Sequence, residues 1–335
     1  MATVPLALSL GDPAGIGPEI IVKAWRALRH SGPAFIVVGD AATLQRAAAP
    51  DRAAVSRVRC AADADGVFAH TLPVLDQPLN APATPGRSDP ASAAMIIGWI
   101  DTAARLALAG EASGLVTAPI AKAPLYAAGF RFPGHTEFLG VLAPPTDPVA
   151  RGPVMLLAAA DLRVALVTIH EPLSRVPALL DVASIVNAGL VTARALTADF
   201  GIAHPRLALT GLNPHAGEDG ALGREEIEII TPALQRLREH GVDASGPHPA
   251  DSLFHAEART RYDAALCMYH DQALIPVKML DFWGGVNVTL GLPIVRTSPD
   301  HGVGFDIAGR GIARPDSLIA AIRLAAQIAG QRAGH

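Results

Sequence analysis

The chain reads as an α/β protein built on a mainly parallel sheet, and three observations predict this. Short apolar runs alternate with helical stripes along the chain's length, the signature of strand–helix–strand units. Hydrophobic residues make up 50% and charged residues 17% of 335 residues, enough for a large core and, by length, for two domains. Three apolar runs, RVALVTI, RLALTGLNP and AALCMY, each lead into a histidine at or just past their end. Polar groups beyond the end of a buried strand are where open α/β proteins place their chemistry.

Taken in order, residues 4–10 form a first strand that turns at GDPAGIGPE (11–19). A helix follows with apolar Ile20, Ile21, Ala24, Trp25 and Leu28 on one stripe, and Pro18 suits its first turn. A strand at 34–38 and a helix from Asp40 complete a βαβα start. Gly11, Gly15 and Gly17 do not make a dinucleotide fingerprint: their spacing is wrong, and Pro18 and Glu19 stand where phosphate would sit. Residues 77–90 form a loop, and Asp89-Pro90 caps a helix through Ile96, Trp99, Ile100, Ala103 and Ala107 that Gly110 ends.

The strand 113–119 leads to Lys122 and then to FRFPGHTEF (130–138), where Thr136 is the expected N-cap with Glu137 in the first turn. His135 and Thr136 therefore mark either an anion site at a helix start or simply a capped helix. Strands 153–159 and 163–169 are close enough to form an antiparallel hairpin. A helix over 181–200 ends at Gly201 and precedes the strand 206–212. GREEIEIITPALQRLREHG is a further helix stopped by Gly241, and Asp251 opens a short one before the strand 264–269. The glycine-dense segment 281–311 contains strand-like VNVTL, and a closing helix runs from Asp316 to about 329 with Gly330 as its stop.

The formal charge is −4 with no basic run, so neither a nucleic acid nor a membrane is an expected partner. Only Cys60 and Cys267 occur, which excludes a disulfide scaffold and suits a cytoplasmic protein. The N-terminal apolar run ends after Leu10 without a basic region before it and reads as a strand rather than a leader. The run PVMLLAAA (153–160) is far below the ~18–20 residues needed to span a bilayer.

The three histidines at strand ends, His170, His215 and His270, are candidate metal ligands, since three imidazoles with an open position form a known catalytic arrangement. Asp251 and Asp271 are candidates to orient an imidazole or to act as the base, against plain roles in helix capping and on the surface. Lys278, Asn287 and Arg296 lie in or beside the glycine-dense segment and suit a phosphate or carboxylate.

GDPAGIGPE (11–19), TAPIAK (117–122), GHTEFL (134–139), NPHAGE (213–218), MYHDQ (268–272), GVNVTLGLPIVRTS (285–298) and DHGVGFDIAGRG (300–311) closely resemble the 4-hydroxythreonine-4-phosphate dehydrogenase family of vitamin B6 synthesis. The opening and closing motifs also resemble the wider isocitrate/isopropylmalate dehydrogenase superfamily, which binds NAD without a Rossmann loop. The resemblance implies two α/β/α lobes with the active site in a cleft between them: 1–127 with 280–335 on the dinucleotide side, and 128–279 carrying the metal histidines and the dimer contacts. It implies that His170, His215 and His270 bind one divalent metal (zinc, cobalt, nickel, manganese or magnesium) shared across a homodimer. Substrate would be held by His135, Thr136, Lys278, Asn287 and Arg296, and NAD, with NADP as the alternative, by His301, Gly302 and Asp306. The implied reaction is oxidation of 4-phosphooxy-L-threonine at its secondary hydroxyl and decarboxylation to 3-amino-2-oxopropyl phosphate.

Rival expectations are a D-threonate or D-erythronate 4-phosphate dehydrogenase with the same machinery, and a dihydrodiol dehydrogenase, which is expected to lack Lys278, Asn287 and Arg296. A metal phosphohydrolase and a non-catalytic phosphometabolite-binding protein would need no nicotinamide, and the 281–311 segment argues against both.

Overall fold

The computed structural model describes residues 4–132, 134–144, 150 and 152–334, so Pro133 of the FRFPGHTEF motif lies outside the described residues. The backbone divides into two units, Met1–Pro144 with Leu292–Gly330 and Pro145–Gly291 with Gln331–His335. The divisions fall later than 127 and 279 for two reasons. The helix His135–Leu142 packs on the helix Ala93–Leu108 of the first unit, and the strand Val286–Leu290 pairs with Val154–Ala159 of the second.

The first unit contains β1 (Leu6–Ser9), β2 (Phe35–Gly39), β3 (Val55–Val58), β4 (Leu72–Asp76), β5 (Leu115–Thr117) and, late in the chain, β12 (Arg296–Pro299). Their order is β3-β4-β2-β1-β5-β12, and every pairing is parallel. Every residue of β1 and β2 is buried, as expected of parallel strands covered on both faces. Helix α1 (Gly17–Leu28) starts on Pro18 and buries Ile20, Ile21, Ala24, Trp25 and Leu28; the Trp25 indole N–H donates to the Phe68 carbonyl at 2.8 Å. Asp40 caps α2 (Ala41–Ala48) by accepting from the Thr43 N–H at 2.8 Å. The stretch Pro90–Leu108 is long and apolar enough to cross a bilayer, yet its α3 (Ala93–Leu108) lies on β1 and β2 and buries Ile96, Trp99, Ile100 and Ala103.

The second unit contains β6 (Val154–Ala159), β7 (Leu162–Leu166), β8 (Arg206–Thr210), β9 (Asp243–His248), β10 (Ala264–Cys267) and β11 (Val286–Leu290), in the order β11-β6-β7-β10-β8-β9. The β6–β7 pair is the antiparallel hairpin expected, turning through Ala160 at φ 50°. The strands β7, β10 and β8 are neighbours and parallel. The chain segments leading to His170, His270 and His215 therefore leave the same edge of the sheet.

Four strands escaped the sequence reading. VSRV, DASGPH and RTSP lack an apolar run or an alternation to mark them, and the short run of LPVLD is interrupted by Pro73, which demotes it as a strand signal. Gly330 does not stop the last helix, which spans Asp316–Ala333; its buried face of Ala321, Ile322, Ala325 and Ile328 carries it to that point, and Gly330 keeps negative φ. The GREEIEI segment begins as a π turn, Glu226–Ile230, ahead of the α-helix Thr231–Glu239. Pro232 there has no N–H to give an ordinary i−4 bond, which favours the wider turn before it.

Candidate active site

In the first unit the site grows from the ends of β5 and β12. Arg296, the first residue of β12, is only 2% exposed, and one guanidinium nitrogen donates to Thr117 Oγ1 on β5 at 2.7 Å. Burial pulls its pKa down to about 10, against a smaller opposing pull from the Glu137 carboxylate. Beside it, α4 (Lys122–Ala127) begins at Lys122, and α5 (His135–Leu142) begins at His135 with Gly134 in the cap position. Thr136 is thus inside the first helical turn and is not the expected cap, because the extended backbone residue preceding the helix is Gly134. His135 Nε2 is sealed from solvent and has no hydrogen-bond partner among the described residues. Burial, then the positive charges of Arg296 and Lys122, hold the His135 pKa well below its ordinary value, so the ring is neutral near pH 7. A cavity of about 130 Å³ opens between Thr117, Lys122, Gly134, His135, Ser298 and His301. Two cations around a neutral imidazole suit an anionic ligand. Thr117 and Ser298 went unnoticed in sequence because they are ordinary strand residues there.

The 300–313 segment rests on the 11–19 turn of the same unit. The Ile16 N–H donates to the Val303 carbonyl at 2.9 Å, and a Cβ on Gly15 would stand 2.2 Å from Val303 Cγ1. Glu19 accepts from the N–H groups of Gly311 at 3.2 Å and Ala313 at 2.8 Å, while Lys23 donates to both their carbonyls. GDPAGIGPE is therefore a packing motif that seats the segment bearing His301, Gly302 and Asp306. His301 Nδ1 lies 3.0 Å from the Gly302 carbonyl, its Nε2 is sealed without a partner among the described residues, and Asp306 is exposed.

In the second unit His170 follows β7 and His270 opens the helix α6 (His270–Leu280) after β10; their ring centroids are 5.6 Å apart. Asp271 Oδ1 lies 2.7 Å from His270 Nδ1. A cavity of about 400 Å³ lies between Ile169, His170, Glu171, Tyr269, His270 and Asp271. Gln272 holds this strand end to the next by accepting from Thr210 Oγ1 and the Met268 N–H and donating to the Gly211 carbonyl, at 2.7, 2.8 and 2.7 Å. His215 stands exposed on the Pro214–Gly220 turn after β8, beside the short helix Ala250–Leu253 that carries exposed Asp251. Among the described residues, no group of three His, Cys, Asp or Glu side chains is placed to hold a metal, so one chain brings together two of the three histidines. Lys278 lies with its Nζ 5.3 Å from the Phe282 ring, and Asn287 is half-buried on β11 with an Oδ1 that has no hydrogen-bond partner among the described residues. Both belong to the second unit, whereas Arg296, His135 and Thr136 belong to the first.

The family described as pyridoxal phosphate biosynthetic protein PdxA matches residues 32–325. The chain belongs to the PdxA family. A PdxA-type relative from Caulobacter vibrioides, named 4-hydroxythreonine-4-phosphate dehydrogenase, is 66% identical over 333 residues, 99% of either chain. One of the same name from Maricaulis maris is 55% identical over 98% of either chain. The crystal structure of the 4-hydroxythreonine-4-phosphate dehydrogenase of Klebsiella pneumoniae superposes with a TM-score of 0.86 at 40% identity, covering 98% of either chain. The PdxA chain described here is accordingly an α/β dehydrogenase of the pyridoxal phosphate biosynthesis family.

Proposed function

We propose that this chain oxidises 4-phosphooxy-L-threonine with NAD and releases carbon dioxide to give 3-amino-2-oxopropyl phosphate. The observation that carries this reading is full-length identity of 66% to a relative named for that substrate, joined to a cavity lined by His135 and exposed Lys122, with buried Arg296 beside it, that has the charge a phosphorylated acid needs. In the first step a base takes the hydroxyl proton while hydride leaves the same carbon for the nicotinamide. The C–CO₂ bond of the 3-oxo acid then breaks, its electron pair forms an enolate, and a proton returns to that carbon.

The second unit supplies imidazoles for a divalent metal. His170 and His270 already face one region at 5.6 Å between ring centroids, and a proton on His270 Nδ1 shared with Asp271 leaves Nε2 as the metal-facing lone pair. This donor chemistry fits zinc, cobalt, nickel or manganese, with His215 as the third ligand. When bound, such an ion lowers the pKa of the substrate hydroxyl and stabilises the developing enolate. Asp271, held on His270, orients that ring, and Asp251 is the candidate base. Arg296, His135, Thr136, Lys278 and Asn287 hold phosphate and carboxylate, and His301, Gly302 and Asp306 meet the dinucleotide. The working unit is a cytoplasmic homodimer that completes the metal site from two chains. In its support, Ile275, Met279, Phe282 and Trp283 form an exposed apolar surface beginning on the helix that His270 opens.

The test is NADH formation with 4-phosphooxy-L-threonine and D-threonate 4-phosphate in parallel, before and after chelation and with metal restored. Preference for the amino acid, lost on chelation and recovered with metal, is the expected result. Preference for threonate would move the chain to sugar-acid catabolism, and silence with both would overturn the dehydrogenase chemistry proposed.

A further inference from the structure

The turn that carries His215 has an improbable backbone. His215, Ala216, Glu218 and Asp219 have φ of 52°, 51°, 43° and 51°, with Gly217 between them at 83°. Left-handed backbone crowds Cβ against the following carbonyl in every L-residue, so a run of this length persists only where its surroundings dictate it. Backbone bonds brace the turn itself, the Ala216 N–H donating to the Asn213 carbonyl at 3.2 Å and the Leu222 N–H to the Gly217 carbonyl at 3.1 Å, and one side chain holds the residues that lead into it. Glu226, in the π turn of the following helix, is 3% exposed. Its Oε1 accepts from the backbone N–H groups of Leu212 at 2.7 Å and Asn213 at 2.8 Å, and its Oε2 accepts from Asn213 Nδ2 at 3.0 Å. Glu225 Oε2 takes the same Asn213 amide nitrogen at 2.7 Å.

The slot for the carboxylate is kept open by two glycines. A Cβ on Gly217 would stand 2.6 Å from Glu226 Oε2, and one on Gly211 would stand 3.1 Å from Oε1. Every bond from this carboxylate goes to the two residues that lead into the turn. A glutamate serving only its own helix would have no reason to be buried there, since charged side chains are rarely buried unless paired.

We propose that Glu226 is the positioning residue for His215: it clamps Leu212 and Asn213 so that the left-handed turn presents the imidazole at the end of β8. This rests on reading His215 as a metal ligand. Partners that orient a ligand without touching the metal carry ~10–100-fold of metal affinity when removed, and Glu226 acts in that manner through the backbone.

The experiment titrates Co²⁺ into the metal-free full-length protein, following the visible absorption of the ion and competing with a chelator. Glu226→Gln, Asn213→Ala and His215→Ala are compared with the parent. Glu226→Gln is expected to bind Co²⁺ ~10-fold or more weakly with an altered ligand-field spectrum. At saturating metal its KM for the phosphorylated substrate stays at the parent value, which a general loss of structure would not allow. Asn213→Ala, which removes the amide's bonds to Glu226 and Glu225 and leaves the buried carboxylate its two backbone donors, is expected to shift affinity less and in the same direction. Should Glu226→Gln fail to fold, Asn213→Ala alone decides. Parent-like Co²⁺ affinity and spectrum in the folded clamp variants, with affinity lost in His215→Ala, would overturn the positioning role and leave the metal reading standing. Parent-like affinity in His215→Ala would overturn both.

Discussion

Replacing Arg296 with methionine separates the cost of a buried cation from its use. Burial draws the pKa of this guanidinium from its ordinary value down to about 10, which disfavours the charged form by ~3 kcal/mol at ~1.36 kcal/mol per decade. Because burial lowers the folded-state value, the folded protein binds that proton less tightly than the unfolded chain, and the cost stands undiminished everywhere below pH 10. Arg296→Met fills a similar volume and removes the charge, at the expense of the bond to Thr117 Oγ1, a loss of ~1 kcal/mol. The net expectation is a protein as stable as the parent or more so by ~2 kcal/mol, since buried charges replaced by apolar side chains are often neutral or stabilising. Binding goes the other way. Loss of charge-assisted bonds worth ~1.5–3 kcal/mol raises the KM for the phosphorylated substrate ~10–100-fold. Urea unfolding of the free protein and initial-rate kinetics read the two effects separately. A folded variant that is less stable by more than ~1 kcal/mol with an unchanged KM would refute the reasoning, and Arg296 would be a strut between β12 and β5.

Two further outcomes follow from the same geometry. His135 has a folded-state pKa held well below the unfolded value, so the unfolded chain takes up a proton first as pH falls below ~6.5, and stability drops by at most ~1.4 kcal/mol per pH unit there. His135→Gln should flatten that part of the stability–pH curve in urea unfolding at pH 7.5, 6.5 and 5.5; an unchanged slope would place the ring in contact with solvent. Met279 is 82% exposed on the helix that His270 opens, and Met279→Glu sets a charge in the apolar surface of Ile275, Phe282 and Trp283. Light scattering is expected to report dimer for the parent and monomer for the variant, with metal affinity falling in parallel; a dimer of parent strength would exclude this face as the interface.

The sequence made the three strand-end histidines legible for a physical reason. A buried parallel strand must be apolar throughout, so RVALVTI, RLALTGLNP and AALCMY stand out, and whatever polar residue follows stands out with them. The adjacency of β7, β10 and β8 then follows as a property of the fold. What stayed hidden has equally physical causes. EEIEI reads as an ordinary helical surface, and nothing in it shows that Glu226 alone turns inward, because burial of one carboxylate is decided by a turn folded over it from residues 211–217. Thr117 becomes a partner of Arg296 only through the register of β5 against β12, and RTSP gives no strand signal at all.

GDPAGIGPE shows the converse, a conspicuous motif whose obvious meaning is the wrong one. Its glycines are needed for closeness, but to protein rather than phosphate: Gly15 leaves room for Val303, and Gly11 at φ 75° has the Pro119 carbonyl 2.6 Å from where a Cβ would be. The negative charge that disqualifies Glu19 as a phosphate neighbour is what lets it take the N–H groups of Gly311 and Ala313. A phosphate at that helix start would have to displace a carboxylate already satisfied by two backbone donors and Lys23. The motif's chemistry is thus to seat the 300–313 loop, and that loop carries His301, which lines the Lys122–His135 cavity.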